Sequence, residues 1–206
     1  MVRVFGHDPV DGIDGIELDL RLSPDGRLLV THDPVFRDDT PTLAHVLDGA
    51  RGWTVNVEIK NFPRDEQWDP DQRVTRSLLE LLDERRGVDD VLVSCFDFGA
   101  IDLVRGRHST AMLYLSRRPA DVLLDAVVEH GHSIVHPYDT MVDAAFVEAA
   151  RARDLTVNVW TLDVGAARYR ELAELGVDGI ITDEGLIAAH ATSGTRQDHP
   201  ASGSDR

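Results

Sequence analysis

One cysteine, Cys95, stands alone in 206 residues, so no disulfide can form within the chain. A chain of this length buries roughly 70% of its unfolded surface, and it needs no cross-link to fold. Apolar residues make up 42% of the sequence, yet no run approaches the ~18 residues of a membrane span. Met1 to Asp8 reach acidic and Gly/Pro residues before any apolar run of signal-peptide length, so a cytoplasmic location is the default expectation. Clustered basic residues are also missing. Lys plus Arg total 21 against 37 Asp plus Glu, a formal net charge of −16, with the cations scattered singly or in pairs. Nucleic acid is gripped by grouped Lys and Arg, so it is excluded as a partner, and any anionic ligand must be held by a local site. Lysine is the scarcest charged residue: Lys60 is the only one. A coding bias toward arginine explains the scarcity, and the neighbours of Lys60 decide whether its survival is chance.

Short β-branched runs alternate with longer amphipathic segments, the pattern of βα units around a parallel sheet. Strands are expected at Arg3 to Gly6, Gly15 to Leu20, Leu28 to Thr31, Thr54 to Lys60, Val91 to Phe96, Thr110 to Leu115, Ser133 to His136, Thr156 to Trp160 and Gly179 to Thr182. Helices are expected at Leu43 to Ala50, Asp71 to Arg86, Phe98 to Arg105, Ala120 to His130, Asp143 to Arg153, Val164 to Leu175 and Leu186 to Ala191. Thr42, Asp69, Asp97 and Asp163 stand where N-caps belong, and Gly87, Gly131 and Gly176 where helices stop. Seven or eight such units indicate a (β/α)8 barrel, the TIM barrel, at the small end of its size range. An open doubly wound sheet is the alternative. Residues 1–191 read as one barrel domain. Residues 192–206, mixed and without periodicity, read as a disordered tail with no function.

Strand parity favours the barrel. With Val55, Val57 and Ile59 directed outward to helices, Asn56, Glu58 and Lys60 face the axis. The same alternation turns Glu17 and Asp19 inward, and with them Asn158 and Trp160. A sheet covered on both faces would favour near-continuous apolar strands instead. Ionised carboxylates facing an interior need a cation. For Glu17, Asp19 and Glu58, all oxygen donors without nearby Cys or paired His, a hard divalent metal such as Mg2+ or Ca2+ is the natural partner. Salt bridges to Arg21 and Lys60 are the plainer alternative. Among the nine histidines, His45, His108, His130, His132, His190 and His199 read as surface or packing residues. His136 ends a strand and is a weaker site candidate, which leaves His32, in the turn His32-Asp33-Pro34, and His7.

These residues carry a family resemblance. Gly15-Ile16-Glu17-Leu18-Asp19-Leu20 through Asp25-Gly26, followed by Val30-Thr31-His32-Asp33-Pro34, resembles the GVELDV…DG…HDP segment of the glycerophosphodiester phosphodiesterases. In order after it come Pro41-Thr42-Leu43, Val57-Glu58-Ile59-Lys60, Ser94-Cys95-Phe96-Asp97, Val159-Trp160-Thr161 and Gly176-Val177-Asp178-Gly179-Ile180-Ile181-Thr182-Asp183, similar to the family's PTL, IEIK, SSFD, VWT and GVDGIITD segments. The resemblance spans Gly15 to Ala189.

It implies a TIM barrel of the phospholipase C-like phosphodiesterase type. Such a barrel hydrolyses glycerophosphodiesters, small-molecule substrates, to glycerol 3-phosphate and an alcohol. It implies Glu17, Asp19 and Glu58 as metal ligands, Lys60 at the substrate phosphate, Trp160 near the glycerol, and His32 as one of two acid/base histidines. The N-terminus departs from the pattern. Family members have a His-Arg-Gly strand end, a Glu-Asn-Thr turn and a helix before the Glu-Leu-Asp strand, whereas here only 17 − 7 = 10 positions separate His7 from Glu17. A shortened first βα unit follows, with His7 as the candidate second histidine. Three readings stay open: a remodelled enzyme, a chain that begins late, or a metal- and phosphate-binding barrel with reduced catalysis and a regulatory role. A phospholipase acting at membranes lacks any basic or aromatic membrane-binding stretch.

Overall fold

A computed structural model of the chain describes residues 3–6, 12–61, 63–85, 90–104, 109–114, 119–160 and 164–193, with only the backbone described for 3–6 and 109–114. Among these residues nine strands form one sheet: β1 (Arg3–Gly6), β2 (Gly15–Leu22), β3 (Leu28–Val30), β4 (Thr54–Ile59), β5 (Asp90–Cys95), β6 (Ser109–Tyr114), β7 (Ile134–Pro137), β8 (Thr156–Trp160) and β9 (Gly179–Ile181). The helices are α1 (Leu43–Gly49), α2 (Arg73–Glu84), α3 (Phe98–Val104), α4 (Ala120–Glu129), α5 (Ala144–Arg151), α6 (Gly165–Leu175) and α7 (Gly185–Thr192). Strand β1 pairs in parallel with β9 on one side and with β2 on the other, so eight parallel strands close a ring in the order β1, β2, β4, β5, β6, β7, β8, β9. Closure excludes the open doubly wound sheet.

The remaining strand, β3, is not a barrel strand. Leu28 to Val30 had the composition of one more βα unit, yet β3 runs antiparallel to β2, with Leu20 opposite Val30 and Leu22 opposite Leu28. The turn Ser23 to Arg27 is too short for a parallel crossover. Gly26 takes φ +86° there, and the Ser23 amide donates to the Arg27 carbonyl at 2.9 Å. The first unit is shortened as the spacing implied: Phe5 pairs with Gly15 and Gly6 with Ile16 across a connection of only residues 7–14. His7 lies outside the described residues.

Local signals set most helix ends. Thr42 caps α1 through the His45 amide, Asp143 caps α5 through the Phe146 amide, and Gly176 closes α6 at φ +83°. Asp97 accepts the Gly99 amide at the start of α3. At α2 the expectation misses by two residues. Asp69 does receive the Asp71 and Arg73 amides, but Gln72 intervenes in the left-handed region at φ 55°, so the helix starts at Arg73. Asp163, Gly87 and residues 194–206 lie outside the described residues. The outward strand residues Val55, Val57, Ile59, Val93, Val157, Val159 and Ile180 pack under the helices around Leu78, Ile101, Phe146 and Leu172, all buried.

Candidate active site

Parallel pairing preserves facing, so register alone brings the acidic residues together. Asp19 lies directly beside Glu58, and Glu17 beside Asn56 one step below. Carboxylate oxygens of Glu17, Asp19 and Glu58 all fall within 4.8 Å of one another. The Lys60 amide extends the ladder to the Leu20 carbonyl, and its Nζ donates to Glu58 Oε1 at 2.6 Å and Asp19 Oδ1 at 2.9 Å. Arg21 does not join this cluster. It forms a two-pronged pair with Asp65, at 3.1 and 2.9 Å, and its Nε donates to the His32 carbonyl. Of the two salt bridges weighed from sequence, Lys60 makes one and Arg21 does not.

With all four groups ionised, the three carboxylates and Lys60 sum to 1 − 3 = −2, the charge that one divalent cation neutralises. Burial, then Asp19 and Glu58, push Glu17 well above the ordinary carboxylate range, and Asp183 at the end of β9 adds to the shift. Burial also raises Glu58, against the pull of Lys60. On Lys60, burial acts to lower the pKa, but Glu58 and Asp19 outweigh it and hold the ammonium firmly charged. A close group of all-oxygen donors with excess negative charge fits a hard divalent metal. Asp183 carried no role in the sequence reading. Its position at the C-terminal end of a barrel strand was the available signal.

His32 follows β3 in a loop that the Thr31 amide ties to the Asp19 carbonyl at 2.9 Å. Its side chain is 74% exposed, with Nδ1 on Asp33 Oδ1 at 2.9 Å, which leaves Nε2 as the nitrogen to meet a ligand. Glu58 lies within its electrostatic reach. Trp160 ends β8, which stands opposite β4 in the ring. Tyr138 packs against its indole at 4.5 Å between ring centres, and Phe96 meets it edge-on at 6.2 Å. Residues at the strand ends of β5, β7 and β8 thus form one aromatic cluster, of which only Trp160 was singled out from sequence.

His136 lies beside Asn158, two residues before the Tyr138–Trp160 pair at the strand ends. It is fully buried, and its Nε2 accepts from Asn158 Nδ2 at 3.2 Å. Burial pushes it down from 6.5 to about 3, so it stays neutral. Because the folded value is depressed, its contribution to stability is complete above pH 6.5 and is lost as pH falls from 6.5 toward 3. Acid titration of the unfolding free energy should therefore show an added slope of ~1.4 kcal/mol per pH unit in that window, absent in His136→Asn. Equal slopes in the two proteins would refute the assignment. His130 and His132 share Asp102 at 2.8 and 2.9 Å, a packing role as expected. Burial pushes the Cys95 thiol up to about 12, so it is no nucleophile.

The sequence profile of the glycerophosphoryl diester phosphodiesterase family matches residues 34–185. The chain belongs to this family. A glycerophosphodiester phosphodiesterase of Caldanaerobacter subterraneus subsp. tengcongensis is 25% identical over 213 aligned positions, covering 84% of this chain and 83% of that one. Two family-like folds among solved structures superpose with TM-scores of 0.76. A putative glycerophosphoryl diester phosphodiesterase from Silicibacter pomeroyi DSS-3, 18% identical, covers 94% of each chain. An Oleispira antarctica phosphodiesterase, 14% identical and solved with the product sn-glycerol-3-phosphate, covers 94% of this chain and 97% of its own. The matched family segment begins at Pro34, after the β2 and His32 residues, so the acidic pair on β2 joins the site through the fold and not through the profile.

Proposed function

We propose that the chain hydrolyses glycerophosphodiesters to glycerol 3-phosphate and an alcohol, using a divalent cation, Mg2+ or Ca2+, held by Glu17, Asp19 and Glu58. The observation that carries this reading is the convergence of two carboxylates from β2 with Glu58 and the sole lysine at the C-terminal end of β4, inside a family-matched barrel. Held by these carboxylates, a divalent cation would supply positive charge to the phosphoryl oxygens. Lys60 contributes a second positive charge to the same oxygens. His32 and His7 are the acid/base pair: as water attacks phosphorus and the P–O bond to the alcohol breaks, one histidine takes the water's proton and the other protonates the leaving alkoxide. Trp160 packs the glycerol.

The test has two readouts. A ligand that binds only the folded chain stabilises it by about 2.7 kcal/mol at a hundredfold excess over Kd. For a domain of this size that corresponds to a Tm rise of roughly 5–11 °C. Millimolar Mg2+ or Ca2+ should produce such a rise, and glycerophosphocholine should release glycerol 3-phosphate only with metal present. An unchanged melting curve removes the metal site. A metal-dependent Tm without turnover supports the alternative, a metal- and phosphate-binding barrel with a regulatory role, which the eight-residue β1–β2 connection favours.

A further inference from the structure

His32 has the least support of the residues in the site. Between β3 and α1, residues 31–41 form neither helix nor strand, and the imidazole is exposed. Among the described residues its ring is hydrogen-bonded to Asp33 alone, the next residue in the chain and itself exposed. That contact ties the ring to its own loop and not to the barrel. A group that transfers a proton must be held to within about 0.5 Å of its working position, and loops hold groups less precisely than strands do. The hold on His32 therefore has to come through its backbone.

Arg21 reaches that backbone. It lies two positions beyond Asp19 on β2, with its side chain buried. Its Nε donates to the His32 carbonyl at 2.8 Å, while its two terminal nitrogens donate to the two oxygens of Asp65 at 3.1 and 2.9 Å. The Asp65 carboxylate is buried as well, and its Oδ1 also accepts the Gln67 amide at 2.9 Å. The loop carrying Asp65 is closed at its base, where buried Asn61 exchanges hydrogen bonds with the Asp69 backbone at 2.7 and 2.9 Å. Arg21 and Lys60 line one cleft of about 580 Å³ with this loop. One guanidinium thus joins the carboxylate-bearing strand, the His32 loop and the loop after β4. A lysine has no planar fork and cannot make these three contacts together. With arginine used at every basic position but Lys60, the need for it at this one is visible only in the contacts.

We propose that Arg21, braced by Asp65, is a positioning residue for the acid/base step: it fixes the His32 backbone, and with it the imidazole, relative to Asp19 and Lys60. The proposal rests on the hydrolytic reading above and adds two residues that act through His32. Without Arg21, the tie nearest His32 is the Thr31 amide on the Asp19 carbonyl at 2.9 Å, a single hydrogen bond about which the loop can turn.

Two measurements on the full chain with Mg2+ test this. The first is the backbone order parameter of the His32 amide from nitrogen-15 relaxation. It should lie near the rigid value of about 0.85 in the parent and fall toward about 0.6 in Arg21→Lys, with the Val57 and Glu58 amides on β4 unchanged. The second is turnover of glycerophosphocholine, measured below the melting range of each variant. Displacing a reacting group by about 1 Å costs about 10²-fold, so Arg21→Lys should lower kcat by about that factor with KM unchanged. In a His32→Ala background the same substitution should cost nothing further, because the group it positions is gone. Asp65→Asn keeps the shape of the brace but gives up one acceptor. It should show a smaller fall with the same dependence on His32, and it carries the test if Arg21→Lys does not fold. A fall as large without His32 as with it marks a structural ion pair and overturns the proposal, as does a His32 amide that stays rigid in both variants or a kcat that does not change. Those outcomes leave the hydrolytic reading standing. A His32 amide that loosens in Arg21→Lys, when the parent cleaves no diester, keeps the tether and removes the hydrolytic reading.

Discussion

His32→Ala should lower metal-dependent release of glycerol 3-phosphate by ~10²–10⁴-fold, the usual effect of removing one positioned acid/base group. The imidazole is 74% exposed, so its loss leaves no cavity, and the melting temperature should move little. The Asp33 carboxylate lies on Nδ1 at 2.9 Å, which leaves Nε2 for the proposed proton transfer. Asp33→Asn should then lower kcat by less than the alanine variant does. His7→Ala separates the two histidine roles. A fall of the same order as His32→Ala assigns the partner base to His7. No fall makes His7 a bystander and gives the role to another group. A His32→Ala protein that retains full turnover would remove the histidine mechanism altogether.

The second large effect lies at the carboxylates. Lys60 pairs with Asp19 at 2.9 Å and Glu58 at 2.6 Å, and removing one partner of a buried ion pair typically costs ~3–5 kcal/mol. Lys60→Met should therefore lower the metal-free Tm clearly, and added Mg2+ should recover much of the loss by replacing the missing charge. Phosphate affinity should not recover, since the ammonium that meets the phosphate is gone. Glu58→Gln has the opposite signature. It relieves repulsion around Glu17, so the metal-free protein should be at least as stable as the parent, but the Tm rise with Mg2+ should disappear together with turnover. Calorimetric melting with and without metal checks both. If Lys60→Met unfolds the barrel while phosphate affinity is retained in the folded fraction, Lys60 is a structural ion-pair partner only. If Glu58→Gln keeps the metal response, the cation sits elsewhere.

What the sequence determined by itself was whatever depends on alternation along one strand or on a local cap. Period two in Thr54 to Lys60 fixes that Asn56, Glu58 and Lys60 share a face, and the same holds for Glu17 and Asp19. Thr42 and Gly176 set helix ends because capping is satisfied within a few residues. The order of motifs then gave the family and the barrel, which strand closure and the family match bear out. Pairing between strands was not legible in this way. Leu28 to Val30 has the composition of a barrel strand, and only the length of the preceding turn makes it the antiparallel arm of a hairpin. Arg21 lies near the carboxylates in sequence, but Asp65, 44 positions later, provides the planar partner its guanidinium prefers. His136 ends a strand as a site residue would, yet its depth in the ring leaves it buried and neutral. Those outcomes depend on distances between segments far apart in the chain, and side-chain periodicity within one segment carries no information about them.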